Sequence, residues 1–141
     1  MDCIFCDIIA GKQPAATIWE SDQVLAIVDV RQAHPGHALV IPKTHVPNIF
    51  ELPDDLDGPL TQAVSKISRA INAAYKPDGI SLWQSNGAGA HQEVPHLHIH
   101  IHPRWTDDTV LKVYSEKPDT PSFDILQEGA EQIRSYLEDT P

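Results

Sequence analysis

The chain has 141 residues and 41% hydrophobic content, enough for one domain with a buried core, and no apolar run approaches the ~20 residues of a membrane span. Its formal charge of −10 opposes the phosphate backbone of nucleic acids at long range, yet leaves room for a small phosphate ester in a local pocket. The start of the sequence has no basic segment followed by an apolar stretch, so no signal peptide is read and the expected compartment is the cytoplasm, with neither membrane nor nucleic acid as partner.

In chain order, Cys3 to Ala10 reads as a short helix stopped by Gly11. Val24 to Val28, apolar and rich in β-branched residues, reads as a buried strand. His34-Pro35-Gly36 is a turn signal, and His37 to Ile41 forms a second strand ended by Pro42. Glu51 to Asp57 reads as a solvated acidic loop whose charges suit the N-terminus of a helix. That helix spans Leu60 to Tyr75, where Leu60, Ala63, Val64, Ile67, Ala70, Ile71 and Ala74 share one face. Ile80 to Trp83 is a strand, Ser85 to His91 a loop, and Val94 to His102 another strand. Residues 107–121 read as irregular. A last helix starts near Ser122, its cap, with Phe123, Leu126, Ala130, Ile133 and Leu137 on one side. Hairpin-length links between strands, with helices set apart, predict an α+β fold: an antiparallel sheet of about five strands, one long central helix and a C-terminal helix, in a single domain over 1–141.

Two residue patterns carry chemistry. The two cysteines form Cys3-x-x-Cys6, which in a reducing compartment fits a metal site or a redox pair better than a structural disulfide. A redox pair lacks its usual βαβ context here, and two unmetallated thiols are the remaining alternative. The second pattern is the histidines, all eight of which lie between His34 and His102. His96-Leu97-His98-Ile99-His100-Ile101-His102 alternates strictly, so on a strand the aliphatic residues face the core and four imidazoles share the other face. Alternate residues stand about 6.6–6.8 Å apart, too far for all four rings to grip one ion, but suited to a row in which one ring attacks and its neighbours position. A polar outer face would normally carry Lys, Thr or Glu. A neutral imidazole is a competent nucleophile at pH 7, and attack on phosphorus splits one hard displacement into two easier ones without requiring a metal.

His96-x-His98-x-His100 followed by Ile101 resembles the motif of the histidine triad family. Gln92-Glu93-Val94-Pro95 resembles the family's lead-in, and Pro103-Arg104 its usual continuation. Gly36-His37-Ala38-Leu39-Val40-Ile41-Pro42-Lys43 resembles the strand that carries another active-site histidine, and Ile8-Ile9, Gly11 and Pro14-Ala15 resemble its N-terminal signature. The resemblance covers about residues 2–104 and is nearest to bacterial members of the Hint-like branch. It departs at His91, Glu93 and His102, which bear on the shape and pH response of the site.

The resemblance implies a hydrolase of purine nucleoside phosphoramidates or related nucleotidyl conjugates. Carried over by position, His98 is the nucleophile and forms a nucleotidyl-histidine, His100 contacts the phosphate, and His37 supports the nucleophile's surroundings. Gln92 bonds near the phosphate or leaving group, and Asn86 helps to hold the phosphate end. Asp29 binds the ribose hydroxyls, although alone it reads as a strand-ending turn residue, and Ile27 lines the base pocket. The resemblance further implies a structural zinc held by Cys3, Cys6, His45 and His96, and a homodimer whose two sheets join. Other readings are a dinucleoside polyphosphate hydrolase, a nucleotide-binding protein with little turnover, and, from histidine density alone, a metal-sensing or storage protein. The three tryptophans read as core or interface residues.

Overall fold

A strand that is apolar on both faces must be covered on both sides, and Val24–Val28 (β2) is such a strand. In this computed structural model, which describes residues 2–110 and 114–137, it lies inside a five-stranded antiparallel sheet. The strands are β1 (Thr17–Glu20), β2, β3 (Ala38–Pro42), β4 (Gly79–Trp83) and β5 (Ile99–Arg104), in the order β1-β2-β3-β5-β4. Three α-helices accompany them: α1 (Ile4–Ile9), α2 (Asp54–Tyr75) and α3 (Phe123–Arg134). The α+β architecture read from the sequence is therefore the one observed. The chain divides into two compact units with the boundary after Asp108, so the sheet, α1 and α2 form the first and α3 belongs to the second.

Strand register sorts the side chains. Val24↔Pro42, Ala26↔Val40 and Val40↔Ile99 place one set of residues against α2, where Val24, Ala26, Ala38, Val40, Leu97 and Ile101 pack on Leu56, Leu60, Val64, Ile67 and Ile71. The opposite set, Leu25, Ile27, Leu39 and Ile41, packs under Cys3 and Phe5. Leu39↔His100 and Trp83↔His100 put the imidazoles on that second face, away from α2. The sequence alternation thus becomes a division between a dry core and a histidine face.

Beyond shifts of a residue or so at element ends, three elements of the first unit differ from the sequence-based expectation. The central helix starts at Asp54 rather than Leu60, taking in Asp54 to Asp57 of the expected acidic loop and carrying Pro59 inside it. Leu56 and Leu60 are both buried, and burial worth about 1.5–3 kcal/mol each offsets the roughly 3 kcal/mol cost of an interior proline. Asp54, Asp55 and Asp57 in the first turn add a favourable interaction with the helix dipole. Second, the β5 ladder begins at Ile99, not Val94, and continues to Arg104. Third, β1 has no counterpart among the sequence-predicted strands. It is a four-residue edge strand, mostly exposed, with a register shift between Thr17 and Trp19, so it leaves no alternating pattern.

In the second unit, Ser122 caps α3 as expected, its Oγ accepting from the Ile125 amide at 3.4 Å. The helix ends at Arg134, so Leu137 lies beyond it. No helix among the described residues is long and apolar enough to cross a membrane.

Candidate active site and metal centre

The site is built where the ends of β2, β3 and β5 meet on the histidine face. The turn His34-Pro35-Gly36 delivers His37 to the start of β3, opposite the end of β2, where the Asp29 amide donates to the His37 carbonyl at 3.0 Å. Gly36 has φ +103°, and a Cβ there would meet the Tyr75 ring at 2.8 Å, so glycine is needed both for the turn and for the close approach.

His37 Nδ1 donates to the Arg31 carbonyl at 3.1 Å, which leaves its Nε2 as an acceptor, and His100 Nδ1 donates to that nitrogen at 2.9 Å. His100 stacks on Trp83, 4.9 Å away at 20°, and on His37, 5.1 Å away at 28°, and those two rings are themselves 5.6 Å apart. Burial, with His98 and His37 close by, pushes the His100 pKa down to about 4, so the ring is neutral at pH 7. Asp29 Oδ1 accepts from the Arg31 amide at 2.8 Å in a local turn, and its Oδ2 lies 3.6 Å from His37 Nε2 and 3.9 Å from His100 Nδ1.

His98 is half-buried, between the edge of the Phe5 ring at 5.0 Å and His100 at 5.0 Å. Its Nδ1 donates to the His96 carbonyl at 2.7 Å, which leaves Nε2 with a free lone pair. His102 is buried. Its Nδ1 donates to the Pro103 carbonyl at 2.8 Å, its ring packs on Trp83 and His37, and burial holds its pKa down. It backs the row from beneath rather than extending it into solvent.

Four side chains gather beside the row. Cys3, Cys6, His45 and His96 present ligand atoms all within 4.8 Å of one another. Cys3 Sγ and Cys6 Sγ lie 3.3 and 3.6 Å from His96 Nδ1, Cys6 Sγ lies 3.3 Å from His45 Nδ1, and the two Nδ1 atoms are 3.2 Å apart. A tetrahedral zinc with nitrogen at 2.0–2.1 Å and sulfur at 2.3 Å has ligand–ligand edges of about 3.3–3.8 Å, so the donor set fits. His96 Nε2 donates to the Pro42 carbonyl at 2.8 Å, fixing the tautomer that points Nδ1 at the cluster, and burial keeps the ring neutral. Both cysteines are free thiols, and burial raises the pKa of Cys6.

The remaining expected site residues shape the loops. Gln92 donates to the Pro47 and Val94 carbonyls at 2.7 and 3.0 Å and accepts from the Gly87 amide at 2.8 Å. Asn86 accepts from the Ile49 amide at 2.8 Å and exchanges two bonds of 2.7 Å with Gln84. Ile27 is buried beneath Cys3 and Phe5. Two contacts were not read from sequence: the stacking of Trp83 on His100, and Phe5 against His96 and His98. The two-residue spacing of Ser81 and Trp83 was visible, but which face it belonged to depended on pairing with β5.

The profile of the HIT domain matches residues 10–107. The chain belongs to the histidine triad family. The histidine triad protein called Protein hit, from Bacillus subtilis, is 47% identical over 104 residues, covering 74% of this chain and 72% of its own length. The adenosine 5'-monophosphoramidase of Schizosaccharomyces pombe is 38% identical over 113 residues, 80% of this chain and 82% of its own. Among solved histidine triad structures, a Bacillus subtilis member superposes with a TM-score of 0.86 at 39% identity, covering 99% of this chain and 100% of that one. A zinc-bound member from Mycobacterium smegmatis gives 0.73 at 32% identity, covering 97% and 99%.

Proposed function

We propose that the protein hydrolyses nucleotidyl conjugates, with purine nucleoside phosphoramidates as the substrate class, through a covalent nucleotide on His98. The observation that carries this reading is the bond from His98 Nδ1 to the His96 carbonyl, which keeps the Nε2 lone pair free. That nitrogen attacks the α-phosphorus, a P–N bond to His98 forms, and the bond to the leaving group breaks as the leaving amine takes a proton from solvent, which the water of the second step returns. Water then cleaves the phospho-histidine and releases the mononucleotide. His100 contacts the phosphate and His37 holds His100 through the shared proton. On this reading Asp29 accepts from the ribose hydroxyls, Gln92 and Asn86 fix the loops at the phosphate end, and Ile27, itself covered by Cys3 and Phe5, supports the base pocket from within the core. The relative named as an adenosine 5'-monophosphoramidase supports a hydrolase of adenylyl compounds.

Cys3, Cys6, His45 and His96 would hold zinc, which when bound ties the N-terminal segment to the catalytic strand; the zinc-bound relative supports this assignment. Zinc thiolates require reduced cysteines, which fits the cytoplasm. We also assign a homodimer formed through β4, an edge strand with Leu82 54% exposed beside the exposed Ile49 and Phe50. A shallow apolar cavity lined by Leu52, Leu60, Leu82, Leu97 and Ile99 opens at that edge, on the sheet face away from the histidines.

The test is turnover of a fluorogenic adenosine phosphoramidate by the wild type and His98→Ala. The expected result is a loss of at least about a thousandfold in kcat/KM with nucleotide affinity retained. Equal, near-background rates for both proteins would establish a nucleotide binder instead.

A further inference from the structure

We propose that Asp29, His37 and His100 form a second divalent-metal site, separate from the cysteine-containing cluster and built into the catalytic row itself. Their ligand atoms, Asp29 Oδ2, His37 Nε2 and His100 Nδ1, are separated by 2.9, 3.6 and 3.9 Å. A triangle with those sides has a circumradius of about 2.0 Å, so one point lies at zinc–nitrogen and zinc–oxygen bonding distance from all three atoms. The donor set, two imidazoles and one carboxylate, suits a transition ion.

Each ligand is already oriented from behind. The Arg31 carbonyl holds His37 through Nδ1, the Arg31 amide holds the second oxygen of Asp29, and Trp83 fixes the plane of His100 by stacking. The two rings reach the ion in their neutral form. Three lone pairs become coordinate bonds, and the proton that His100 Nδ1 shares with His37 moves through solvent to His100 Nε2, so no net proton is released.

This site differs in chemistry from the Cys3, Cys6, His45, His96 cluster. It has no thiolate, one anionic ligand rather than two, and three protein ligands rather than four. On the nucleotide reading above, the same groups hold phosphate and ribose, so an ion here would suppress turnover. The metal count does not depend on that reading.

Cobalt(II) titration of the full chain, followed by absorption, separates the two sites. The expected result is one equivalent with thiolate-to-metal charge transfer in the near ultraviolet and a second with visible d–d bands alone. Cys3→Ser/Cys6→Ser should lose only the first. His37→Ala and Asp29→Asn should each weaken the second at least tenfold, with circular dichroism confirming that the variants fold. Failure to find a second equivalent would overturn the proposal, as would a second equivalent whose affinity neither variant changes, since that marks adventitious binding at other histidines.

Discussion

At the scale of single residues, the four imidazoles of the row differ because each ring nitrogen has a different partner. His96 is turned to the cysteines by Pro42, His98 is turned outward by its own neighbour's carbonyl, His100 donates to His37, and His102 is spent on Pro103. The depressed pKa of His100 has a consequence for stability. Above pH 6.5 the ring is neutral in both folded and unfolded chains and contributes nothing. Between 6.5 and about 4 the unfolded chain binds a proton that the folded one refuses, so stability falls as pH falls, and the slope ends below about 4. The full loss is on the order of 3 kcal/mol, and the buried His102 acts in the same direction. Urea midpoints measured from pH 7 to pH 4 should therefore drop more steeply for the wild type than for His100→Asn, which cannot titrate there. Parallel curves would show that His100 is not the group responsible.

At the scale of elements, the turn before β3 does more than reverse the chain. Gly36 lets β3 start with His37 facing the row while the backbone passes against Tyr75 and Pro103. Gly36→Ala would force a side chain into a positive-φ position and against the Tyr75 ring, with an expected destabilisation of about 1–2 kcal/mol and a disproportionate fall in activity as His37 shifts. Chemical denaturation together with kcat measures both. Much of this level was legible in the sequence. Alternation from Leu97 to Ile101 put the right residues in the core and the imidazoles opposite, and Ser122 marked the start of α3. The boundaries that shifted have local causes. Pro59 hides the true start of α2, because a proline signals a break unless burial on either side outweighs it. β1 has too few buried residues to show a period. Site residues legible as types, such as Gln92 and Asn86, could not be given their partners, because Pro47 and Ile49 are some forty residues away in the chain and are brought near only by the fold.

At the scale of the whole molecule, the sheet has two edge strands, β1 and β4, and the proposed dimer uses β4, whose exposed Leu82 a second copy would cover. Leu82→Asp places a charge at that edge without touching the histidine face. On the proposed dimer, sedimentation or light scattering should give a dimer mass for the wild type and a monomer mass for this variant, with the His98 environment retained. An unchanged mass would remove β4 as the joining strand.

The late start of the β5 ladder at Ile99 carries a further consequence. The backbone that bears His98 lies just ahead of a strand rather than in its middle. Its nearest anchors are the Leu97 amide on the Val46 carbonyl, at 2.7 Å, and the His96 ring. The segment at His98 therefore lies outside the ladder and is held by the buried Leu97 and by the cysteine–histidine cluster through His96, so its local stability should depend on that cluster more than the sheet's does. Hydrogen exchange at the amides of residues 97–99 should accelerate in Cys3→Ser/Cys6→Ser while the amides of β2 and β3 keep their protection, and unchanged exchange would disconnect the cluster from this segment.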